Sequence, residues 1–341
     1  MITQNIIGYE ISAKGAENFS AVNPVNGESL EGNFSIATSE EVDLAVQKAW
    51  SAWKSYRLFS GKQKAAFLRA ISEEIENLGD VLVERVMLES GLPEGRVRGE
   101  RGRTCNQLRL FAQLIEEGSW VEASIDKAKP ERQPFPKADI RKMLLSTGPV
   151  AVFTASNFPL AFSTAGGDTA SALASGCPVI VKGHPSHPGT NVLIASAIQK
   201  AAKQTNMPDG VFSALNSNGH EVGAHLVKHP LIKAVAFTGS LRGGKALYDL
   251  ANEREEPIPV FAEMGSVNPI FLLPGKVKTG LSNLANQLAN SVNLGAGQFC
   301  TNPGLLVALN DEGTAQLRKE LKAEQKKVSE LKLENETLLS K

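Results

Sequence analysis

Cysteine is scarce in this chain. Its 341 residues include three, Cys105, Cys177 and Cys300. The count is odd, the spacing is wide and no Cys-x-x-Cys pair occurs. That excludes a disulfide-stapled scaffold and fits a reducing compartment. Net charge is also absent, since 36 Lys and Arg offset 36 Asp and Glu. Nothing globally basic therefore points to nucleic acid. Long apolar runs are missing as well. The most hydrophobic region, Val150 to Val181, is broken by Asn157, Pro159, Asp168 and Pro178 and cannot span a membrane. Residues 1–8 lack a charged segment followed by a long apolar one, so no signal peptide is expected. His220, His225 and His229 are close in sequence but not at a metal-ligand spacing with Cys or Glu. What these absences leave is a cytoplasmic globular chain of one large domain or two.

The patterns that are present alternate by period. Residues 5–36 carry short extended runs around an Asn26-Gly27 hairpin signal. Thr38 followed by Glu40 and Glu41 predicts an N-capped helix burying Val42, Ala45, Val46 and Ala49. Trp50, Trp53 and Tyr56 read as core packing. Helices are expected over 60–78 and 79–90, the latter broken by Gly91-Leu92-Pro93. The arginines of 94–118 ring a helix, which reads as a solvated one. Pro130, Pro134 and Pro136 make residues 124–146 an extended excursion. From Pro149 onward, short apolar strands alternate with helices as far as Glu263. That is the signature of a parallel sheet with helices on both faces, which binds ligands at the carboxyl ends of its strands. A further strand at 268–273, also expected to be buried, and one at 305–309 flank a helix over 280–294. After Asp311 the composition turns to Lys, Glu and Leu. Leu317, Leu321, Val328, Leu331 and Leu338 then follow a heptad spacing, with Glu324 and Asn335 in the seam. An amphipathic surface helix and a dimer zipper both fit. No C-cap signal precedes Lys341, so truncation is expected.

Four features carry chemistry. Cys300 lies on a Gly-flanked loop at a helix end, where an ionised thiol could attack a carbonyl. Glu263 ends a strand expected to be buried, where desolvation would suit it to general-base work. Asn157 offers an uncharged N–H₂ donor to a developing oxyanion. Lys182 and Thr238-Gly239-Ser240 could hold sugar hydroxyls and phosphates, with the next helix N-terminus adding its positive end. Each also has a structural reading: a packed thiol, a surface carboxylate, a turn former, a solvated lysine. The Gly239-x-x-x-Gly243 spacing is not a Gly-x-Gly-x-x-Gly fingerprint.

Five motifs occur in one order: Ala155-Ser-Asn-Phe-Pro159, Val181-Lys182, Phe237-Thr-Gly-Ser240, Glu263-Met-Gly265 with Asn268-Pro269, and Gly297-Gln-Phe-Cys300. In this order they resemble the aldehyde dehydrogenase superfamily over roughly residues 5–310. Arg132-Gln-Pro134, Gly148 to Ser163, Ala165 to Thr169 and His184 to Gly189 are most similar to the α-ketoglutaric semialdehyde (2,5-dioxopentanoate) dehydrogenases. The resemblance implies an α/β fold with a Rossmann-type parallel sheet and an incomplete catalytic domain. Residues 1–123 and 147–260 would form the NAD(P)-binding domain, 124–146 an oligomerisation hairpin and 261–341 the catalytic part. It also implies NAD(P)-dependent oxidation of a small aldehyde to an acid, with 2,5-dioxopentanoate giving 2-oxoglutarate. Cys300 would be the nucleophile, Glu263 the base that activates water, and Asn157 with the Cys300 N–H the oxyanion donors. Lys182, Phe237, Thr238, Gly239, Ser240 and Gly244 would contact the cofactor. No metal, nucleic acid or membrane is required, and the full-length protein would be a homo-oligomer.

Two departures matter. Family members preferring NAD often carry a glutamate three residues after the lysine, where this chain has Pro185. NADP is therefore expected to be accepted as well as NAD, or preferred. The family's catalytic domain also continues past the point where this sequence stops, so the 341-residue chain is expected to lack dehydrogenase activity by itself. Two other functions compete. A non-catalytic interaction protein with a C-terminal dimer helix would need none of Asn157, Lys182, Glu263 and Cys300. Acyl transfer to coenzyme A is disfavoured by Glu263 as a hydrolytic base.

Overall fold

The computed structural model describes residues 2–339, with side chains through residue 326. It divides into two compact units, Met1–Glu263 and Met264–Lys341. The first opens with β1 (Asn5–Ile7) and β2 (Glu10–Ser12), then a two-stranded ribbon of β3 (Asn18–Phe19) and β4 (Phe34–Ser35). Between β3 and β4 the Asn26-Gly27 signal becomes a turn. Gly27 has φ +75°, and its N–H donates to the Asn23 carbonyl.

Four helices follow: α1 (Ser39–Tyr56), α2 (Gly61–Asn77), α3 (Gly79–Ser90) and α4 (Glu94–Glu117). Thr38 caps α1 reciprocally with Glu41, and Ser60 caps α2 in the same way with Gln63. Glu41 also reaches beyond its helix. Its fully buried carboxylate accepts from Ser12 Oγ, Lys14 N and Asn5 Nδ2, which ties the start of α1 to the first strands. A buried carboxylate is tolerable when its lone pairs are satisfied in this way.

The excursion contains the antiparallel pair β5 (Ser124–Asp126) and β6 (Ile140–Lys142). Ile125, Phe135, Ile140, Met143, Leu144 and Leu145 on it are exposed. The β-α series then runs β7 (Val150–Phe153), α5 (Gly167–Ser175), β8 (Val179–Lys182), α6 (Pro188–Gln204), β9 (Phe212–Leu215), α7 (Glu221–Lys228), β10 (Ala234–Thr238), α8 (Leu241–Asn252) and β11 (Val260–Glu263).

One seven-stranded sheet results, in the order β11-β10-β7-β8-β9-β1-β2. The five strands from β11 to β9 are parallel, while β1 and β2 join antiparallel. Chain order reverses between β7 and β10, making a topological switch point. Strand residues alternate between two cores. Val150, Val152, Val179, Val181, Ala234 and Ala236 face a core that includes α2, α4, α5 and α6. Ala151, Phe153, Ile180 and Val235 face another with α1, α7 and α8. Helices thus cover both faces, as a parallel sheet demands.

The second unit pairs β12 (Pro269–Leu272) with β13 (Leu305–Ala308) in parallel. Between them lie α9 (Pro274–Lys278) and α10 (Leu281–Asn293), and α11 (Glu312–Leu339) ends the unit. Leu272, Val277, Leu284, Ala285, Leu288 and Leu317 form its core, with Leu321 packed against it. Leu317 and Leu321, the first seam positions of the terminal heptads, therefore pack within this unit. Val328, Leu331, Asn335 and Leu338 lie outside the residues whose side chains are described. Two strands read as buried are not. β11 is the sheet edge and exposes Phe261 and Glu263, and β12 exposes Phe271. Among the described residues no helix is long and apolar enough to cross a membrane.

Phe67 on α2 is fully buried in the larger core. Phe67→Ala should remove about 3–5 kcal/mol of stability, read as a lower urea midpoint. An unchanged midpoint would contradict this packing.

Candidate active site

The carboxyl ends of the parallel strands line up in register. Leu215 pairs with Lys182, Lys182 with Phe153 and Phe153 with Phe237. One residue further on, Thr238 pairs with Glu263, and the Gly239 N–H donates to the Glu263 carbonyl at 3.0 Å. The cofactor-type residues Lys182, Phe237, Thr238 and Gly239 thus share one sheet edge with Glu263. The side chain of Glu263 is exposed, so the desolvation expected from sequence is absent. Among the described residues β11 is the outermost strand of its sheet, where the face bearing Phe261 and Glu263 is left exposed.

The turn from β10 into α8 is shaped by Phe237. Its ring packs on Phe153, with centroids 6.5 Å apart. A Cβ at Gly239 would lie 2.6 Å from the Phe237 ring, and one at Gly243 2.9 Å. Glycine is needed at both places so that the backbone can pass over the ring. Ser240 caps α8, its Oγ accepting from Gly243 N at 3.1 Å, and Gly244 is buried behind it. No carboxylate among the described residues occupies this helix N-terminus.

The N-terminus of α6 is filled. The Glu89 carboxylate accepts from Gly189 N at 2.7 Å, Thr190 N at 2.8 Å and Thr190 Oγ1 at 2.7 Å. Arg85 pairs with the same carboxylate at 2.8 Å. Of the two helices that follow β8 and β10, α8 is therefore the one whose positive end remains for a phosphate.

Lys182 is half-buried, and its ammonium has no hydrogen-bond or ion-pair partner among the described residues. Burial pushes its ammonium down to about 8. Beside it, His184 is pushed down to about 3 by burial, then by His187 and by Lys182. His184 is thus neutral at physiological pH, and Lys182 is the available cation. An uncompensated ammonium at a strand end and an open helix N-terminus at the switch point fit the anionic, hydroxyl-rich half of a nicotinamide dinucleotide.

Asn157 is half-buried on the loop from β7 to α5. That loop is held from three sides. His187 Nε2 lies 2.8 Å from the Ala155 carbonyl. Asn191 Oδ1 accepts from Ser163 Oγ and Thr164 Oγ1, while its Nδ2 donates to the His184 carbonyl at 3.0 Å. The third hold comes from α4. Glu100 Oε1 accepts from both Leu160 N and Ala161 N at 2.9 Å, and its other oxygen pairs with Arg96 at 2.6 Å. Arg96 lies 4.5 Å from the Phe158 ring centre and Arg103 lies 4.9 Å from that of Phe162. Cation–π contact of this kind stiffens the loop. The arginine-rich helix is therefore not merely solvated, because one end of it clamps the Asn157 loop. Arg96 and Glu100 at i and i+4 were the available sequence signal, but their target lies some sixty residues away.

In the second unit Cys300 is half-buried, whereas Cys105 and Cys177 are buried. Burial pushes the Cys105 thiol up. The approach to Cys300 is a left-handed turn: Gly295 has φ 59°, Ala296 φ 57° and Gly297 φ 72°. A non-glycine residue such as Ala296 in this region costs of order 1–2 kcal/mol. Asn268, also left-handed at φ 45°, donates Nδ2 to the Cys300 carbonyl at 2.7 Å and to the Asn302 carbonyl at 3.0 Å. Asn302 Nδ2 donates to the carbonyls of Gly297 at 2.8 Å and Val292 at 3.2 Å. Sequence reasoning gave Asn302 no role, since its partners are backbone carbonyls that no motif reveals.

Comparison with known proteins identifies the family. The aldehyde dehydrogenase family model matches residues 11–337. The chain belongs to the aldehyde dehydrogenase family. The family match continues past residue 310, where the motif resemblance stops, into the terminal helix. Among its relatives, α-ketoglutaric semialdehyde dehydrogenase 2 of Azospirillum brasilense is 50% identical over 306 residues, covering 89% of this chain and 58% of that protein. The α-ketoglutaric semialdehyde dehydrogenase of Acinetobacter baylyi is 47% identical over 306 residues, covering 90% of this chain and 58% of that protein. This chain thus spans 58% of the length of these aldehyde dehydrogenase relatives. A betaine aldehyde dehydrogenase from Staphylococcus aureus shares the fold, with TM-score 0.82 and 21% identity over 96% of this chain and 62% of its own.

Glu100 is 3% exposed. Glu100→Ala leaves two buried N–H groups without their acceptor and removes the Arg96 ion pair, and should cost roughly 3–5 kcal/mol. Hydrogen exchange should also accelerate at Leu160 and Ala161, with Glu100→Gln milder on both measures. Wild-type exchange at those amides in Glu100→Ala would contradict the clamp.

Proposed function

We propose that this chain carries the cofactor half and the nucleophile loop of an NAD(P)-dependent aldehyde dehydrogenase. Its substrate would be 2,5-dioxopentanoate, oxidised to 2-oxoglutarate. The observation that carries the reading is the registered row of strand ends, which sets Lys182 and the Thr238-Gly239-Ser240 turn on the same sheet edge as Glu263. The substrate assignment is supported by the names of the two relatives at 50% and 47% identity. It concerns the whole protein, of which this chain is similar to part.

In this reading the Cys300 sulfur adds to the aldehyde carbon and gives a thiohemiacetal. Asn157 Nδ2 and the Cys300 N–H hold the oxyanion. NAD(P), held by Lys182 and the Thr238-Gly239-Ser240 turn, would supply the two-electron acceptor that oxidation of the aldehyde carbon to the thioester level requires. Glu263 then takes a proton from water as the water attacks the thioester carbon, releasing the acid and restoring the thiol. The exposure of Glu263 suits this last step, since its carboxylate is open to the water it must activate. Lys182 would bind the adenosine ribose or its 2′-phosphate. The α8 N-terminus with Ser240 would bind the pyrophosphate, and Phe237 and Gly244 would shape that turn. Residues 1–123 and 147–260 would serve as the cofactor domain, 261–341 would belong to the catalytic part, and the apolar hairpin within 124–146 would join copies of the protein.

Lys182 gives a pH-dependent test. At pH 7 it is largely protonated and should favour 2′,5′-ADP over 5′-AMP by roughly ten-fold, the scale of one charge-assisted hydrogen bond. As pH rises past about 8 the free lysine loses its proton. A bound phosphate holds that proton more tightly, so the preference should shrink progressively above pH 8. Titration calorimetry at pH 7 and pH 9.5, with Lys182→Met as control, measures this. Equal affinities at pH 7 would contradict the assignment.

A further inference from the structure

We propose that Asn302, with Asn268, is a positioning residue that aims two backbone N–H groups of the Cys300 loop at the reacting centre. The proposal rests on the reading of Cys300 as nucleophile. Asn302 holds two peptide planes of the loop. Its Nδ2 fixes the Gly297 carbonyl at 2.8 Å, and its own N–H fixes the Phe299 carbonyl at 3.0 Å. Asn268 Nδ2 fixes a third, the Cys300 carbonyl, at 2.7 Å.

A trans peptide is planar, so its N–H points opposite to its carbonyl. Pinning the Phe299 carbonyl on Asn302 turns the Cys300 N–H away from Asn302. Pinning the Cys300 carbonyl on Asn268 turns the Thr301 N–H away from Asn268. Neither N–H has an acceptor among the described residues. Two such donors, one on each side of the cysteine, make a small nest able to stabilise a thiolate or an oxyanion.

The amide orientations are forced. Ser266 Oγ donates to Asn268 Oδ1 at 3.0 Å, which leaves Nδ2 for the two carbonyls. Flipping Asn302 would set its oxygen against the Val292 and Gly297 carbonyls. As placed, Asn302 Oδ1 is buried and has no hydrogen-bond partner among the described residues. An unpaired buried acceptor lowers stability. So does the left-handed run at Gly295, Ala296 and Gly297 that the two asparagines hold in place. Stability alone does not account for an asparagine here, whereas aiming the loop does.

The test is the alkylation rate of Cys300 by iodoacetamide, followed by peptide mass spectrometry at about pH 7 and about pH 10.5. At the lower pH the rate depends on thiolate stabilisation and on access. At the higher pH thiols are ionised and access alone decides. In the wild-type chain Cys300 should react ahead of Cys105 and Cys177. Asn302→Ala should slow Cys300 several-fold at pH 7 and leave its rate at pH 10.5 nearly unchanged. Asn268→Gly removes the amide donor while tolerating the left-handed backbone, and should give the same fall. It carries the test if Asn302→Ala exposes the two buried thiols. An unchanged ratio of the two rates, or an equal loss at both pH values, overturns the positioning role alone. A wild-type Cys300 no faster than Cys105 and Cys177 overturns the nucleophile reading along with it.

Discussion

The register of five parallel strands is the constraint on which the first unit depends. Because β7 is flanked by β8 and β10 in register, Phe153 lies beside both Lys182 and Phe237. The two loops that could hold a dinucleotide therefore emerge at one level on either side of the switch point. Slipping one strand by a residue would turn every inward side chain to the opposite core. The alternating assignment of Val150, Ala151, Val152 and Phe153 to two cores makes that slip costly.

Function follows from what each loop does with its polar groups. The α6 N-terminus is consumed internally by the Glu89 carboxylate, which Arg85 pairs, and this stiffens the β8–α6 connection. Among the described residues the α8 N-terminus is capped only by Ser240. Lys182 has no counter-charge among the described residues, and burial disfavours its ammonium. Around Asn157 the polar groups are used the other way, with Glu100 and His187 spent on holding backbone and Asn191 on holding the Ser163 and Thr164 hydroxyls. The structure thus separates groups that support from groups that remain open to a ligand.

Much of the fold was legible because it is local. The Thr38 and Ser60 capping boxes and the Asn26-Gly27 turn each rest on neighbours within a few residues. The β-α alternation from Val150 to Glu263 gave the parallel sheet. The exposure of β11 and β12 was not legible, because a short apolar run reads the same in the middle of a sheet as at its edge. Strand order, not composition, decides that Glu263 meets solvent. Among the candidate site residues, Asn157, Lys182, Glu263 and Cys300 stood out through motif position. Their supports did not. Glu100 acts on amides some sixty residues away, and Asn302 acts on carbonyls, which every residue possesses.

The central claim is that a dinucleotide meets α8 and Lys182 at the switch point and not the carboxylate-filled α6. Hydrogen exchange with and without saturating NADP tests it most directly. Protection should appear across Lys182 to His184 and Thr238 to Gly244, while the amides of Gly189 and Thr190, already bonded to Glu89, should not change. New protection at Gly189 and Thr190, with none at Thr238 to Gly244, would contradict the account.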